Sequence, residues 1–215
     1  MARYLIHLCN EREWYVKDYL IPSMMLQGID GDDIWLWQDL ACEGNLKATI
    51  NAFKYISNEP GGTWHLQDDI VISQHFKQQT EEYDSGIKCG FANTYVQDKP
   101  PGYVPVNDMW YSFPCIRIPN SFAWHFVQWF EANKHKYPEW LEENRHDDEF
   151  FKEYMIKQHP TMRIVNISPN LVENVDYLIG GSIINKQRGT QNINSIYWNE
   201  PQVVENLRTW LRGRK

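Results

Sequence analysis

Asp68 and Asp69 stand side by side directly after an extended-looking run, Thr63-Trp64-His65-Leu66-Gln67. Adjacent carboxylates repel each other, and a divalent cation relieves that repulsion. Mg2+ or Mn2+ prefers oxygen ligands; it commonly takes one or two carboxylates and leaves substrate phosphates and water to complete the shell. Asp-Asp pairs are common in exposed turns and helix caps, so context decides. In a parallel α/β sheet, ligands bind beyond the carboxyl ends of the strands, and this pair lies at such an end. A second pair, Asp147-Asp148, precedes a helical stretch. There it suits an N-terminal cap, stabilised by free amides and the macrodipole. Glu11-Arg12 after the first strand reads either as a solvated loop or as a ligand contact. Gly180-Gly181-Ser182, followed by Asn185, Lys186 and Arg188, suits a loop closing over a diphosphate or a polar connector.

These residues need a scaffold, and the hydrophobic pattern supplies one. Short apolar runs at 4–9, 33–37, 63–66 and 86–91 read as strands. Helices are expected at 14–26, with Pro22 as an interior kink, and at 46–56 behind Gly44-Asn45. Residues 70–76 are expected to leave the strand end and begin another helix. The β-α-β-α-β order predicts an α/β fold with a mostly parallel sheet and crossover helices. Residues 98–105, with three Pro and a Gly, read as a loop. Beyond it, 109–118 reads as extended, 120–133 as an amphipathic helix, 149–158 as a helix, 163–167 as a strand and 201–211 as a helix. One domain of 215 residues is expected, with its second half folded onto the sheet.

Composition narrows the partners. A net charge of −7 argues against a surface that grips a polyanion throughout. A local basic patch remains at Arg208, Arg212, Arg214 and Lys215. The ten Trp suit a core, and Trp64, Trp110 and Tyr111 are secondary candidates for stacking on a sugar or base. Cys9, Cys42, Cys89 and Cys115 show no paired spacing; Cys9 and Cys89, in apolar strand-like runs, read as buried thiols, and a reducing, cytoplasmic compartment is expected. The N-terminus is too short in apolar residues for a signal peptide, and no run approaches a membrane span.

The segment TWHLQDDIVIS resembles the strand, Asp motif and following segment of GT-A glycosyltransferases. Other pieces resemble that family in the same order. They are the opening strand with Asn10-Glu11-Arg12, Gly44-Asn45 before a helix, His146-Asp147-Asp148-Glu149 at a helix start, and Ser168-Pro169-Asn170-Leu171-Val172. The resemblance covers residues 3–185 as a pattern of pieces, and is also similar to small phage-encoded glycosyltransferases, some of which modify DNA bases. It implies a GT-A-like, Rossmann-type sheet flanked by helices with an acceptor-side C-terminal subregion. It further implies a nucleotide-sugar donor (UDP- or another NDP-sugar), Mn2+ or Mg2+, and a hydroxyl acceptor, either a modified DNA base or a glycan. Asp69 would bind the metal directly, and Asp68 would reach it through water or contact the donor sugar or ribose. Asn10, Glu11, Arg12, Asn45, Lys186 and Arg188 would bind the donor. Asp148, with Asp147 as the alternative, would be the acceptor-side base. Many relatives carry a His ligand after the Leu-Val strand; here the chain reads Glu173-Asn174-Val175-Asp176, so Asn174 or Asp176 would substitute, or metal binding would be weak or absent.

Two rivals accompany this reading. The same Asp pair could serve nucleotidyl transfer, although the loop after the first strand is short and acidic rather than glycine-rich and basic. A non-catalytic binding protein on a degenerate fold of this type is the other. His65 and Asp68 do not have the His-x-Asp spacing of a facial iron site, and no P-loop, dinucleotide fingerprint or nucleophile elbow is present.

Overall fold

The computed structural model describes residues 2–40, 44–89, 102–105, 113–144, 146–181 and 198–214. Strand β1 (Arg3–Leu8) is an almost continuous apolar run and is buried along nearly its whole length. The chain then turns through a 3-10 turn, Asn10–Arg12, into α1 (Glu13–Tyr15), a π-helical segment, Val16–Leu20, and α2 (Ile21–Leu26). Pro22 lies at the start of α2, next to the π segment, where the altered bonding accommodates a residue without an N–H. β2 (Ile34–Gln38), α3 (Asn45–Ile56) and β3 (Gly62–Gln67) complete the expected β-α-β-α-β start.

Residues 70–76 differ from the sequence expectation. Ile70–Ile72 form strand β4 rather than a helix start, and α4 (Phe76–Glu82) begins only afterwards. Three consecutive β-branched residues, all buried, favour the pleated conformation. β5 (Lys88–Cys89) follows. The expected 98–105 loop is also corrected at its end: Gly102–Pro105 form β6, at the outer edge of the sheet, where a strand tolerates Pro. β7 (Cys115–Pro119) leads straight into α5 (Asn120–Asn133), followed by α6 (Pro138–Glu143), α7 (Asp147–Gln158), β8 (Arg163–Asn166), β9 (Val172–Asn174) and α8 (Pro201–Gly213).

The main sheet has the order β2-β1-β3-β7-β5-β8-β6, and β4 and β9 form a separate antiparallel pair. β2 and β3 flank β1 in parallel; β7 is antiparallel to β3 and β5, and β8 is parallel to β5. β6 is antiparallel to β8, so five of the seven strands share one direction and β7 and β6 oppose them. The fold is therefore α/β, with a mostly parallel sheet flanked by helices. Strand alternation sends Leu5 into a core under α3, α5 and α7, and Tyr4, Ile6 and Leu8 into a second core on the other face. No helix among the described residues is long and apolar enough to cross a membrane.

Candidate functional site

Parallel pairing sets the site. β1, β2 and β3 end side by side, with His7 level with Trp37 on one neighbour and Gln67 on the other. A cavity of about 180 Å³ opens at this carboxyl edge, as the strand-end rule for α/β sheets requires. β1 and its 3-10 turn contribute His7, Cys9, Glu11 and Arg12; β3 contributes Gln67, Asp68 and Asp69; the β2–α3 connection contributes Asp39, Gly44 and Asn45.

Asp68 and Asp69 are buried, at 6% and 8% exposure, rather than facing solvent. One guanidinium lies between them. Arg12 Nη1 is 2.8 Å from Asp68 Oδ1 and 3.0 Å from Asp69 Oδ2, and its Nη2 donates to the Gly181 carbonyl at 2.9 Å. The Cys9 amide donates to Asp68 Oδ2 at 2.7 Å. Burial works against the Arg12 charge, but the Asp69 and Asp68 carboxylates outweigh it, and the guanidinium is held more firmly charged than usual. Mutual repulsion of the two acids is thus relieved by an arginine of the same chain.

The β4–β9 pair brings the C-terminal candidates close. Ile70 pairs with Asn174, and the Val175 amide donates to the Asp69 carbonyl at 2.7 Å. Asn174 is nearly buried and Asp176 fully so, and the Asn174 side-chain oxygen accepts from the Asp176 amide at 3.3 Å. No cluster of three or more His, Cys, Asp or Glu side chains among the described residues is arranged to hold a metal ion. The adjacent carboxylates of the cavity, Asp68 and Asp69, are the side chains that could meet a cation there, and both are paired with Arg12. That hard-oxygen donor set suits Mg2+ or Mn2+, with Arg12 already placed on it.

Asp147 lies at the first turn of α7, as capping chemistry favours, but it is fully buried and reaches another element. Asn45 Nδ2 donates to its Oδ1 at 2.6 Å and Thr49 Oγ1 to its Oδ2 at 2.8 Å. Asn45 also lines the cavity, so one side chain joins the strand-end site to the second acidic pair. Burial raises both carboxyls, and Asp148 is raised further by the Asp147 charge beside it.

The remaining candidates divide. Asn10 is exposed, and its side-chain oxygen accepts from Gln38 Nε2 at 3.0 Å, tying the 3-10 turn to β2. Glu11 is exposed at the cavity rim. Trp64 is wholly buried in a core, which rules it out as a stacking platform. Lys186, Arg188, Trp110 and Tyr111 lie outside the described residues. His7, Asp39 and Gln67 were not singled out by sequence reasoning; each sits at the carboxyl end of one of three parallel strands, and the strand-end rule applied to every strand would have found them. Burial lowers the His7 imidazole despite the nearby Asp68 and Asp39 charges. Cys9 is half-buried, and burial followed by the Asp68 charge raises its thiol, so it is a poor nucleophile. No protein-family model matches the chain, and no significant match to it was found among curated proteins.

Proposed function

We propose that the chain is a metal-dependent glycosyltransferase of the GT-A type, moving a sugar from a nucleotide-sugar donor to a hydroxyl acceptor. The observation that carries this reading is the position of Asp68 and Asp69: a buried acid pair beyond a strand end, lining the cavity where three parallel strands finish. Charge supports the cation. The described lining holds four carboxylates, Glu11, Asp39, Asp68 and Asp69, against one guanidinium, Arg12. A nucleoside diphosphate group is repelled by such a lining unless a cation enters with it. Asp69 and Asp68 would hold that ion, and when bound it would neutralise the departing diphosphate.

The rest falls to the chain's own residues. Arg12 would pair with a phosphate oxygen at the cavity wall. Asn45 would orient the donor and, through its bond to Asp147, fix the second acidic pair relative to it. Asp148, raised above the ordinary carboxylate range, would take the acceptor hydroxyl proton as that oxygen bonds to the anomeric carbon and the sugar–diphosphate bond breaks. The products would be the glycosylated acceptor and a nucleoside diphosphate.

The direct test is a thermal-shift screen of nucleotide sugars with and without Mn2+, followed by product analysis. We expect stabilisation only when ion and nucleotide are present together, and release of nucleoside diphosphate. Pyrophosphate release would instead mark nucleotidyl transfer. Asp69→Asn should abolish turnover while the fold persists; full activity in that variant would refute the mechanism. The Arg12 ion pairs favour a second reading, a non-catalytic binding protein whose acid pair is permanently neutralised. Nucleotide binding that ignores Mn2+ would support it.

A further inference from the structure

Arg12 is 6% exposed and lines the cavity, yet it is incompletely satisfied: its buried Nε has no hydrogen-bond partner among the described residues. A buried unpaired donor costs stability, so the side chain is not at its best attainable bonding in this arrangement. Its Nη1 meets Asp68 and Asp69 at 2.8 and 3.0 Å, the same two carboxylates that a divalent cation would need. A divalent cation on those same two oxygens would stand beside the guanidinium, and the two positive charges would repel.

We propose that Arg12 is an exchangeable internal cation, holding Asp68 and Asp69 in the free protein and releasing them when a divalent cation arrives with a diphosphate group, to which the guanidinium then transfers. This deepens the reading above and rests on its metal site. The exchange leaves neither the acid pair nor the diphosphate without a counter-charge. Before it, two carboxylates face one guanidinium; after it, they face a dication, and the diphosphate receives the guanidinium. Nε, without a partner among the described residues, would gain an acceptor in a phosphate oxygen, and a guanidinium matches phosphate in the two-pronged geometry that a lysine cannot offer. The Gly181 carbonyl, bonded to Nη2 at 2.9 Å, loses that donor in the same movement.

Arg12→Met removes the competing charge and keeps an unbranched side chain. Without nucleotide, its Mn2+ affinity, read by electron paramagnetic resonance, should rise about tenfold or more over wild type, the equivalent of one charge-assisted hydrogen bond. With Mn2+ saturating, its affinity for a nucleoside diphosphate should fall by a similar factor. Unchanged or weaker Mn2+ binding in Arg12→Met, with clear binding in wild type, overturns the exchange and leaves the metal site standing. Absence of Mn2+ binding in both overturns the exchange together with the metal site. Should Arg12→Met not fold, wild-type protein labelled at arginine nitrogen decides. The Arg12 Nε–H resonance should move when Mg2+ and a nucleoside diphosphate bind, as followed in parallel by calorimetry. A resonance that stays fixed while calorimetry shows binding, or calorimetry that shows none, refutes the proposal.

Discussion

Among single residues, His65 ties the stability of the fold to acid pH. It is fully buried between Phe53 and Phe113, with ring centroids 5.4 and 5.9 Å away. Burial, and then the nearby His7, lowers its imidazole to about 3. The unfolded chain therefore binds a proton near the ordinary histidine value that the folded chain refuses. The stability lost to this group is nil above that value and grows as pH falls towards 3, at up to about 1.4 kcal/mol per pH unit. His65→Leu, of similar volume, should flatten the decline of melting temperature below about pH 6.5. An unchanged acid slope would show that other groups set it. Asp148 works in the opposite direction. Its carboxyl is raised by burial and by Asp147, so the folded state keeps a proton that the unfolded state has already lost, and stability falls as pH rises through that window. Asp148→Asn should lose less melting temperature than wild type between about pH 5 and pH 8. If Asp148 is the base, the same variant should also lose the rising limb of the rate–pH profile.

Among elements, the β2–α3 junction joins the strand-end cavity to the second acidic pair. Gly44 caps α3 at φ 89°, a conformation L side chains rarely adopt, and a Cβ there would overlap the Asn144 side-chain amide. Asn144, itself left-handed at φ 50°, accepts the Leu46 amide with its carbonyl at 3.2 Å and the Lys47 amide with its side-chain oxygen at 3.2 Å. The first turn of α3 is therefore capped from the end of α6. Gly44→Ala should cost about 1–3 kcal/mol, seen as a lower denaturation midpoint, and should shift the environment of Asn45. A neutral result would mean the junction relaxes freely. Elements whose signals are local were legible in the sequence: the buried run of β1, the Gly44-Asn45 start of α3, and the Asp pair at the end of β3. What escaped depends on distant partners. Ile70–Ile72 form a strand because β9 lies alongside, and Gly102–Pro105 pair with β8 at an edge that no local pattern announces. Likewise the acid pair was legible, but its neutralisation by Arg12 depends on how the turn after β1 folds back across the ends of β1 and β3.

For the whole molecule, charge and packing bear on which acceptor could be used. The C-terminal basic cluster suggests a nucleic-acid surface, but α8 has other commitments. Its Leu207 is fully buried, and Val203, Val204, Trp210 and Leu211 pack on the second core. Trp210 stacks on Trp14 with centroids 6.1 Å apart and planes 5° from parallel. The Arg214 guanidinium lies 4.6 Å from the Trp14 ring centroid and pairs with Asp18 at 2.7 Å. Arg214 thus ties α8 to the Trp14 and Asp18 region of the chain. Arg208 and Arg212 remain exposed, though Arg208 stands 3.5 Å from Glu205. With a net charge of −7 around them, two arginines make a weak phosphate grip. If modified duplex DNA is the acceptor, log affinity against log salt should have a slope of about −2, as two phosphate contacts imply. A slope steeper than about −4 would require Lys186, Arg188 and Lys215 to join the contact. Binding indifferent to salt would show that the basic cluster makes no phosphate contacts and remove it from acceptor recognition.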